Sequence, residues 1–595
     1  MRHWVLILAV LLPGGLIGGG DLPGAGSNQA HRSPMDLALV PASFRAITAN
    51  HTADTISLID LDAGKVLAEA RCGRRPCAAA CSRDGSLAAV CNLWSASVSL
   101  FAVDGVSLRH LRDLEVGPQP RGVCFGREKD TLYVAVAGKD EVLELAIGSG
   151  EVRHRWPAPR EPRRLVLSPD GRHLVVACGR SGEVRCIATG ERKEVWARYI
   201  YDAFNLHGLT ISPDGQEVVA AFVHHRGNPI TKHNIDHGWA LDNRLARLPL
   251  ALKPDTPHRA LALDVHGKAV GDPNAVAFNA RGDRLILSAG GTGEVLCFQG
   301  ADKLWSPGDA GDFMDIDLEQ DGARLRRVPV GGRPVALGFV EGTELVAVAN
   351  YLLDSVQLID ASRGEVLKQI LLGGPQGPSL ERMGEAIFYD AKRSHHQWFS
   401  CHTCHTDGHT SGRLFDTLND DSYGNAKLTP SLRGVARTGP YTWHGWQEDL
   451  EAAVQKSLVD TMFGKQQPAK GDVQALTAFL ATLDHPPNHL KGSIAAKNGR
   501  ALFLGKAGCV RCHGGEEYAT PRNYALRQSV DDNSGFELWN PPSLRGVVDR
   551  GPFLHNGRAE TLDELLRVHH VPEKLGGEPL TPEERAELIA FLKSL

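Results

Sequence analysis

From about residue 37 to residue 373 the chain alternates short apolar runs with polar turns, the spacing of β-strands rather than helices. One unit recurs there: a Pro-led strand, a turn such as Ser-Pro-Asp-Gly, an apolar strand, and a strand that ends in an acidic turn. The leading residues Pro76, Pro120 and Pro162 lie 44 and 42 apart, and the turn residues Ser168 and Ser212 again 44 apart. That period predicts four-stranded propeller blades. Later units begin near Pro273 and Pro334 and residues 44 to 67 supply the inner strands of another, so the count is seven. The phrases Asp54-Thr55-Ile56-Ser57-Leu58-Ile59-Asp60 and Asp354-Ser355-Val356-Gln357-Leu358-Ile359-Asp360 nearly match at opposite ends of the array, as the two ends of a closed ring would.

After a Gly- and Pro-rich stretch over 373–378 the spacing turns helical, which marks a domain boundary. The second part is duplicated. Pro430-Ser431-Leu432-Arg433-Gly434 returns as Pro542-Ser543-Leu544-Arg545-Gly546, Gly439-Pro440-Tyr441 as Gly551-Pro552-Phe553, and Ala478-Phe479-Leu480 as Ala590-Phe591-Leu592, each offset by 112. The offset predicts ungapped copies over 379–485 and 486–595. Helices are predicted over 382–390 and 494–504, and over 473–483 and 583–595, with Thr581 as cap and Pro582 in the first turn of the last. Residues after about 375 are expected to fold without the propeller.

A chain of 595 residues exceeds one hydrophobic core. The net charge is −5 with both signs scattered, which gives neither a nucleic-acid surface nor a polybasic membrane patch. Arg2 and His3 precede an apolar run from Trp4 to Leu12, then Pro13 and small residues, the layout of a secretory signal ending near residue 30. Nine apolar residues fall well short of the roughly 20 needed to span a bilayer, so a periplasmic protein without stable membrane insertion is expected. Eight of the twelve cysteines scatter between Cys72 and Cys297, and their pairing is open. Cys178 and Cys186 either face each other across a hairpin or remain buried thiols.

The other four carry the chemistry. Cys401-His402-Thr403-Cys404-His405 and Cys509-Val510-Arg511-Cys512-His513 both spell Cys-x-x-Cys-His, the attachment sequence of a c-type haem. Two thiols on one turn reach the two vinyl groups of one haem, and the adjacent histidine, His405 or His513, meets the iron from the same side. A disulfide redox pair or half a zinc site would also use two such cysteines. Composition alone yields about 0.01 chance matches, so two motifs in two copies predict two covalently bound haem c groups and electron transfer.

The tail resembles the bacterial di-haem cytochrome c peroxidase family, which includes MauG-like enzymes. Gly384-Glu385-Ala386-Ile387-Phe388-Tyr389-Asp390 with Ser400-Cys401, and Pro552-Phe553-Leu554-His555-Asn556-Gly557 followed by Thr561-Leu562-Asp563-Glu564, carry that resemblance. It implies that Trp443 relays electrons between the haems, and that a calcium ion lies between the haem units. Its second-haem methionine falls at His569 here, which would give a His-His haem with His513. The first-copy counterpart is Ser457, so the first haem is ligated by Met462, is open, or uses His409. The family's distal glutamine position holds Ala453, which counts against peroxidase activity. Arg433 and Arg545 are candidate partners for haem propionates. The repeat array resembles bacterial seven-bladed propellers of the Tyr-Val-Thr-Asn (YVTN) type, nearest at Leu132-Tyr133-Val134-Ala135-Val136-Ala137.

The stretch from Val223 to Gly271 is rich in histidine, including His224, His225, His233, His237, His258 and His266. Irregular spacing favours a loop over the propeller face near the first haem above a metal site. Two functions compete: a haem oxidoreductase, peroxidase-like, and an electron carrier whose propeller docks a partner. Either one works with a small redox protein as donor or acceptor.

Overall fold

The computed structural model describes residues 30–251, 256–307, 310–464, 467–488, 490, 492–526 and 535–595. The expected secretory signal lies, up to residue 29, outside them.

Seven antiparallel sheets stand around one axis; five are built from four consecutive strands, and the fifth sheet also takes in Ser306–Pro307 from the loop between the third and fourth strands of the sixth. Their innermost strands are Pro34–Val40, Pro76–Cys81, Pro120–Phe125, Pro162–Leu167, Ala203–Ile211, Pro273–Phe278 and Pro334–Phe339. Six of the seven begin at a proline, which suits the first residue of a strand because no ladder N–H is needed there. The fifth begins at Ala203 and is longer. Second strands are sandwiched between neighbouring blades, and Thr131–Val136 is accordingly buried at every position. Fourth strands face solvent, as in the alternately exposed Ser107–Glu115. Each innermost strand packs against the next, and Pro334–Phe339 packs against Pro34–Val40 to close the ring.

One hydrogen bond recurs at the joints. The aspartate in the turn after a blade's second strand accepts the backbone N–H just before the next blade's leading proline: Asp54 from Arg75 at 2.7 Å and Asp140 from Glu161 at 2.9 Å. Asp354 makes the same bond to Ser33 at 2.7 Å across the closure. The near-identity of the Asp54 and Asp354 phrases therefore reflects a shared joint. The hairpin register sets Cys178 opposite Glu183 and Cys186 opposite Val175, and both remain free buried thiols.

The tail holds two helical units. In the first, Leu380–Tyr389 crosses Lys470–Thr482; in the second, Ile494–Leu504 crosses Pro582–Lys593. Glycine is required at both crossings. A Cβ on Gly384 would fall on the carbonyl oxygen of Ala475, and one on Gly499 on that of Glu587. Beside them Phe388 meets Phe479 and Phe503 meets Phe591, each pair at 5.3 Å. The last helix starts with a capping box between Thr581 and Glu584. The offset of 112 does not extend through the copies. It is 115 from Gly384 to Gly499 and 108 from Cys401 to Cys509, so loops of different length separate the matched segments.

The units differ in their dependence on the propeller. The second has its own core around Phe503, Leu588, Phe591 and Leu592. The first shares one core with the propeller, where Phe204, Val223, Ile230 and Leu241 pack with Phe388, Trp398 and Phe399. This revises the expectation that the whole tail folds alone. The leading helix also sits on the closing seam, where the Arg382 guanidinium donates to Ser33 Oγ at 3.0 Å and to the Tyr351 carbonyl at 2.7 Å. The His-rich insertion lies over the first unit: Ile230 N donates to the Asp416 carbonyl at 2.7 Å, and His395 pairs with Asp236 at 2.7 Å. No helix among the described residues is long and apolar enough to cross a membrane.

Candidate functional site

Ser400 caps the short helix Cys401–Cys404 through a capping box with Thr403. Asp272, from the sixth blade, accepts from both hydroxyls, at 2.5 Å and 2.6 Å. The first motif is thus held on its back by the propeller. His405 donates from Nδ1 to the Pro430 carbonyl at 3.0 Å. That bond fixes the tautomer with Nε2 bare, as a metal-ligating imidazole needs. His513 faces the Tyr518 carbonyl at 3.3 Å in the same way. Burial pulls His405 and His513 down to about 4, so both are neutral at pH 7. Burial pushes the Cys401 thiol up to about 12 and Cys509 to about 11. Free thiols so high are poor nucleophiles, which counts against a disulfide-exchange pair.

The helix over the second unit begins at Thr561 and ends through a π-turn over Leu565–His569. The residue that closes it, His570, faces His513 with ring centroids 6.4 Å apart and planes at 67°. Two metal–imidazole bonds of about 2 Å each, plus the two ring radii, come to nearly that spacing. Burial lowers His570 to about 4 as well. His569 points elsewhere, its Nε2 3.7 Å from the Glu564 carboxylate. His570, not His569, is thus the histidine that faces His513. The constant offset set Ser457 against His569, but the first copy's helix, Leu450–Lys456 with a π-turn over Ser457–Thr461, runs one turn further and closes at Met462. Met462 is buried, with Sδ 3.9 Å from Cys401 Sγ. His409 is spent on Ser431 Oγ at 2.8 Å and the Asp549 carbonyl at 3.1 Å.

Between the units lies an aromatic file. Trp443 and His555 hold the same place in the two copies and face each other at 6.3 Å. His555 meets Trp539 at 4.2 Å, Trp539 meets His444 at 4.4 Å, and His444 stacks on Trp446 at 4.9 Å. Trp443 Nε1 is anchored on the Leu428 carbonyl at 2.8 Å.

Arg433 is buried near Asp549, with Nη1 3.8 Å from its carboxylate. Burial lowers Arg433 and Arg550 to about 10; Asp549 opposes the shift in both, and neighbouring guanidiniums, Arg121 and Arg180 for Arg433 and Arg433 for Arg550, add to it. Two carboxylates, such as haem propionates, would fit those guanidiniums. Arg545 instead pairs with Glu517 at 3.1 Å and the Glu516 carbonyl at 2.7 Å. Among the described residues no group of three metal-capable side chains sits between the units. The residues around both motifs suit a c-type haem: paired thiols, an imidazole with bare Nε2, and surplus cationic charge near the junction.

One contact had no signal in the sequence. Asp407, two residues after His405, enters the axial mouth of the propeller. Arg121 Nη1 donates to it at 2.9 Å, and Arg163 also donates to the same oxygen. Glu161 lies against both arginines, at 3.2 Å and 3.0 Å. Burial alone would raise Asp407, but Arg163 and Arg121 outweigh it and hold the carboxyl well below its ordinary range.

A seven-bladed propeller is followed by two helical units, each with one Cys-x-x-Cys-His motif. The comparisons agree for the tail. Residues 378–486 match the family model of di-haem cytochrome c peroxidase, so that family's domain stands after the propeller. The chain is similar to methylamine utilization protein MauG of Methylorubrum extorquens, 25% identical over 284 residues, which cover 37% of this chain and 79% of that protein. Hydrazine synthase subunit gamma of Kuenenia stuttgartiensis is 25% identical over 281 residues, with the same two shares of 37% and 79%. Cytochrome c551 peroxidase of Nitrosomonas europaea is 23% identical over 287 residues, 39% of this chain and 84% of its own. Among solved structures, Kuenenia stuttgartiensis hydrazine synthase shares the fold, with a TM-score of 0.51 and 22% identity over 57% of this chain and 99% of that one.

Proposed function

We propose that the protein is an exported di-haem c-type cytochrome acting as a peroxidase-like oxidoreductase, with two unlike haems. Cys401 and Cys404 would hold the first covalently with His405 as ligand, and Cys509 and Cys512 the second with His513. Bound haem supplies one-electron chemistry and, where one axial position is free, an iron that accepts a small oxidant. The observation that carries the reading is the asymmetry of the axial partners. His570 stands opposite His513 at 6.4 Å, whereas Met462 lies beside Cys401 and His409 is engaged elsewhere. With haem bound, His513 and His570 would both ligate the second iron and suit it to storing an electron, whereas the first would keep a free position. Trp443 and His555 join them, and Arg433 with Arg550 would neutralise propionates. A small redox protein would deliver electrons from outside.

Electron paramagnetic resonance of the oxidised protein tests this. One high-spin and one low-spin signal, with peroxide consuming stored electrons, are expected. Two low-spin signals and no reaction with peroxide would leave the carrier reading instead.

A further inference from the structure

The axial channel of the propeller carries a charge imbalance that the haem chemistry does not use. At the mouth covered by the first haem loop is a cavity of about 40 Å³, lined by Arg121, Arg163, Arg333, His207, Asn274 and Asp407 among others. Most of these come from the heads of innermost strands, where Pro120-Arg121, Pro162-Arg163 and Pro273-Asn274 repeat one register. Arg121 and Arg163 are neutralised by Glu161 and Asp407, and Arg164 by Asp36 at 2.9 Å. Arg333 is the remainder: of the four guanidiniums that line the cavity, it alone has no ion pair to a described carboxylate. It is 2% exposed, makes no ion pair with a described residue, and its guanidinium rests over the rings of Tyr389 at 3.5 Å and Tyr351 at 5.2 Å. An aromatic face helps a cation but does not cancel its charge. Beside it His207 is 7% exposed and its Nε2 has no partner, which is costly for a buried polar atom.

We propose that this axial cavity binds one small monovalent oxyanion between Arg333 and His207. One guanidinium of the lining, Arg333, is left without a carboxylate partner among the described residues. The space would hold about three waters, which suits an anion of nitrate or formate size and excludes phosphate esters or organic acids with a chain. A planar oxyanion can take two parallel N–H bonds from one guanidinium, and a third from the imidazole. The site also reaches the first haem motif from behind. His207 faces His402, the second residue of that motif, at 5.7 Å, and His402 Nε2 is likewise buried and unpartnered. The anion would sit outside the iron's coordination sphere. The proposal does not rest on how either haem is ligated.

Isothermal titration of the oxidised, full-length holoprotein with sodium nitrate, nitrite and formate in chloride-free buffer tests it. One saturable site per chain is expected for at least one of them, with the haem absorption spectrum unchanged and binding retained when cyanide occupies any open iron. Arg333→Gln should weaken binding at least tenfold, and His207→Asn more mildly, while Arg363→Gln on an outer turn leaves it intact. If Arg333→Gln does not fold, the His207 variant and the cyanide-blocked native protein decide the matter. No saturable binding of any of the three anions, binding abolished by cyanide, or equal affinity in the variants would overturn the proposal.

Discussion

Trp443 and His555 are counterparts under the duplication, and they meet each other across the two haem units at 6.3 Å. A position repeated for structural reasons alone would keep one residue type. Here it holds an indole in one copy and an imidazole in the other, and Trp539 and His444 extend the contact. Replacing Trp443 with Leu should leave both haems bound and slow electron exchange between them by about tenfold, equivalent to roughly 1.4 kcal/mol of barrier. Stopped-flow absorbance during reduction by a one-electron donor measures this.

Substituting His570 with Gly should convert one low-spin signal to high-spin and leave the other haem unaltered. The same change at His569 should leave the spectrum as it was. Paramagnetic resonance of the two variants separates neighbours that sequence alignment alone interchanges.

Gly384→Ala and Gly499→Ala should each destabilise their own unit by about 1–3 kcal/mol, because the added methyl falls on a backbone carbonyl in a packed helix crossing. Urea unfolding followed at the haem absorption band reads the loss. Because the cores are separate, Gly499→Ala should act on the second unit alone.

Acid should loosen the junction between propeller and haem loop. Burial by itself would raise Glu161, but Arg163, Arg121 and Arg180 pull it down to about 2. A carboxyl depressed in the folded state stabilises it fully above the ordinary glutamate range and loses that contribution as pH falls through the depressed value. The urea midpoint should therefore drop between about pH 4.5 and pH 2, and less steeply in Glu161→Gln than in the native protein.

A fragment spanning 486–595 should fold and bind haem, while one spanning 376–595 should leave its first unit unfolded, since Trp398 and Phe399 lose their propeller partners. Circular dichroism and haem content of the two fragments check this.

The blades were legible because each repeats a local rule: Pro76, Pro120 and Pro162 head innermost strands, and the blade that lacks such a proline, at Ala203, shows in the sequence through its turn residue Ser212. The haem motifs were legible because their spacing is itself the chemistry. The pairing of His570 with His513 was silent, because the resemblance pointed to His569, and the constant offset set Ser457 opposite it although the first copy's helix runs one turn longer to Met462. Asp407 and Arg333 were silent. Their meaning depends on partners up to 286 residues away, and nothing local distinguishes them from surface charges.

The bond from Asp354 to Ser33 joins residues 321 apart in the chain. Every blade is a run of short hairpins that assembles from neighbours, but the circle is fastened only after the last blade exists. Closing so long a loop is a slow entropic search, and loop-closure cost grows only gently with length. This single fastening is therefore the expected slow step of assembly. Moving the chain ends to another joint should relocate the slow step to that joint and change the final stability little.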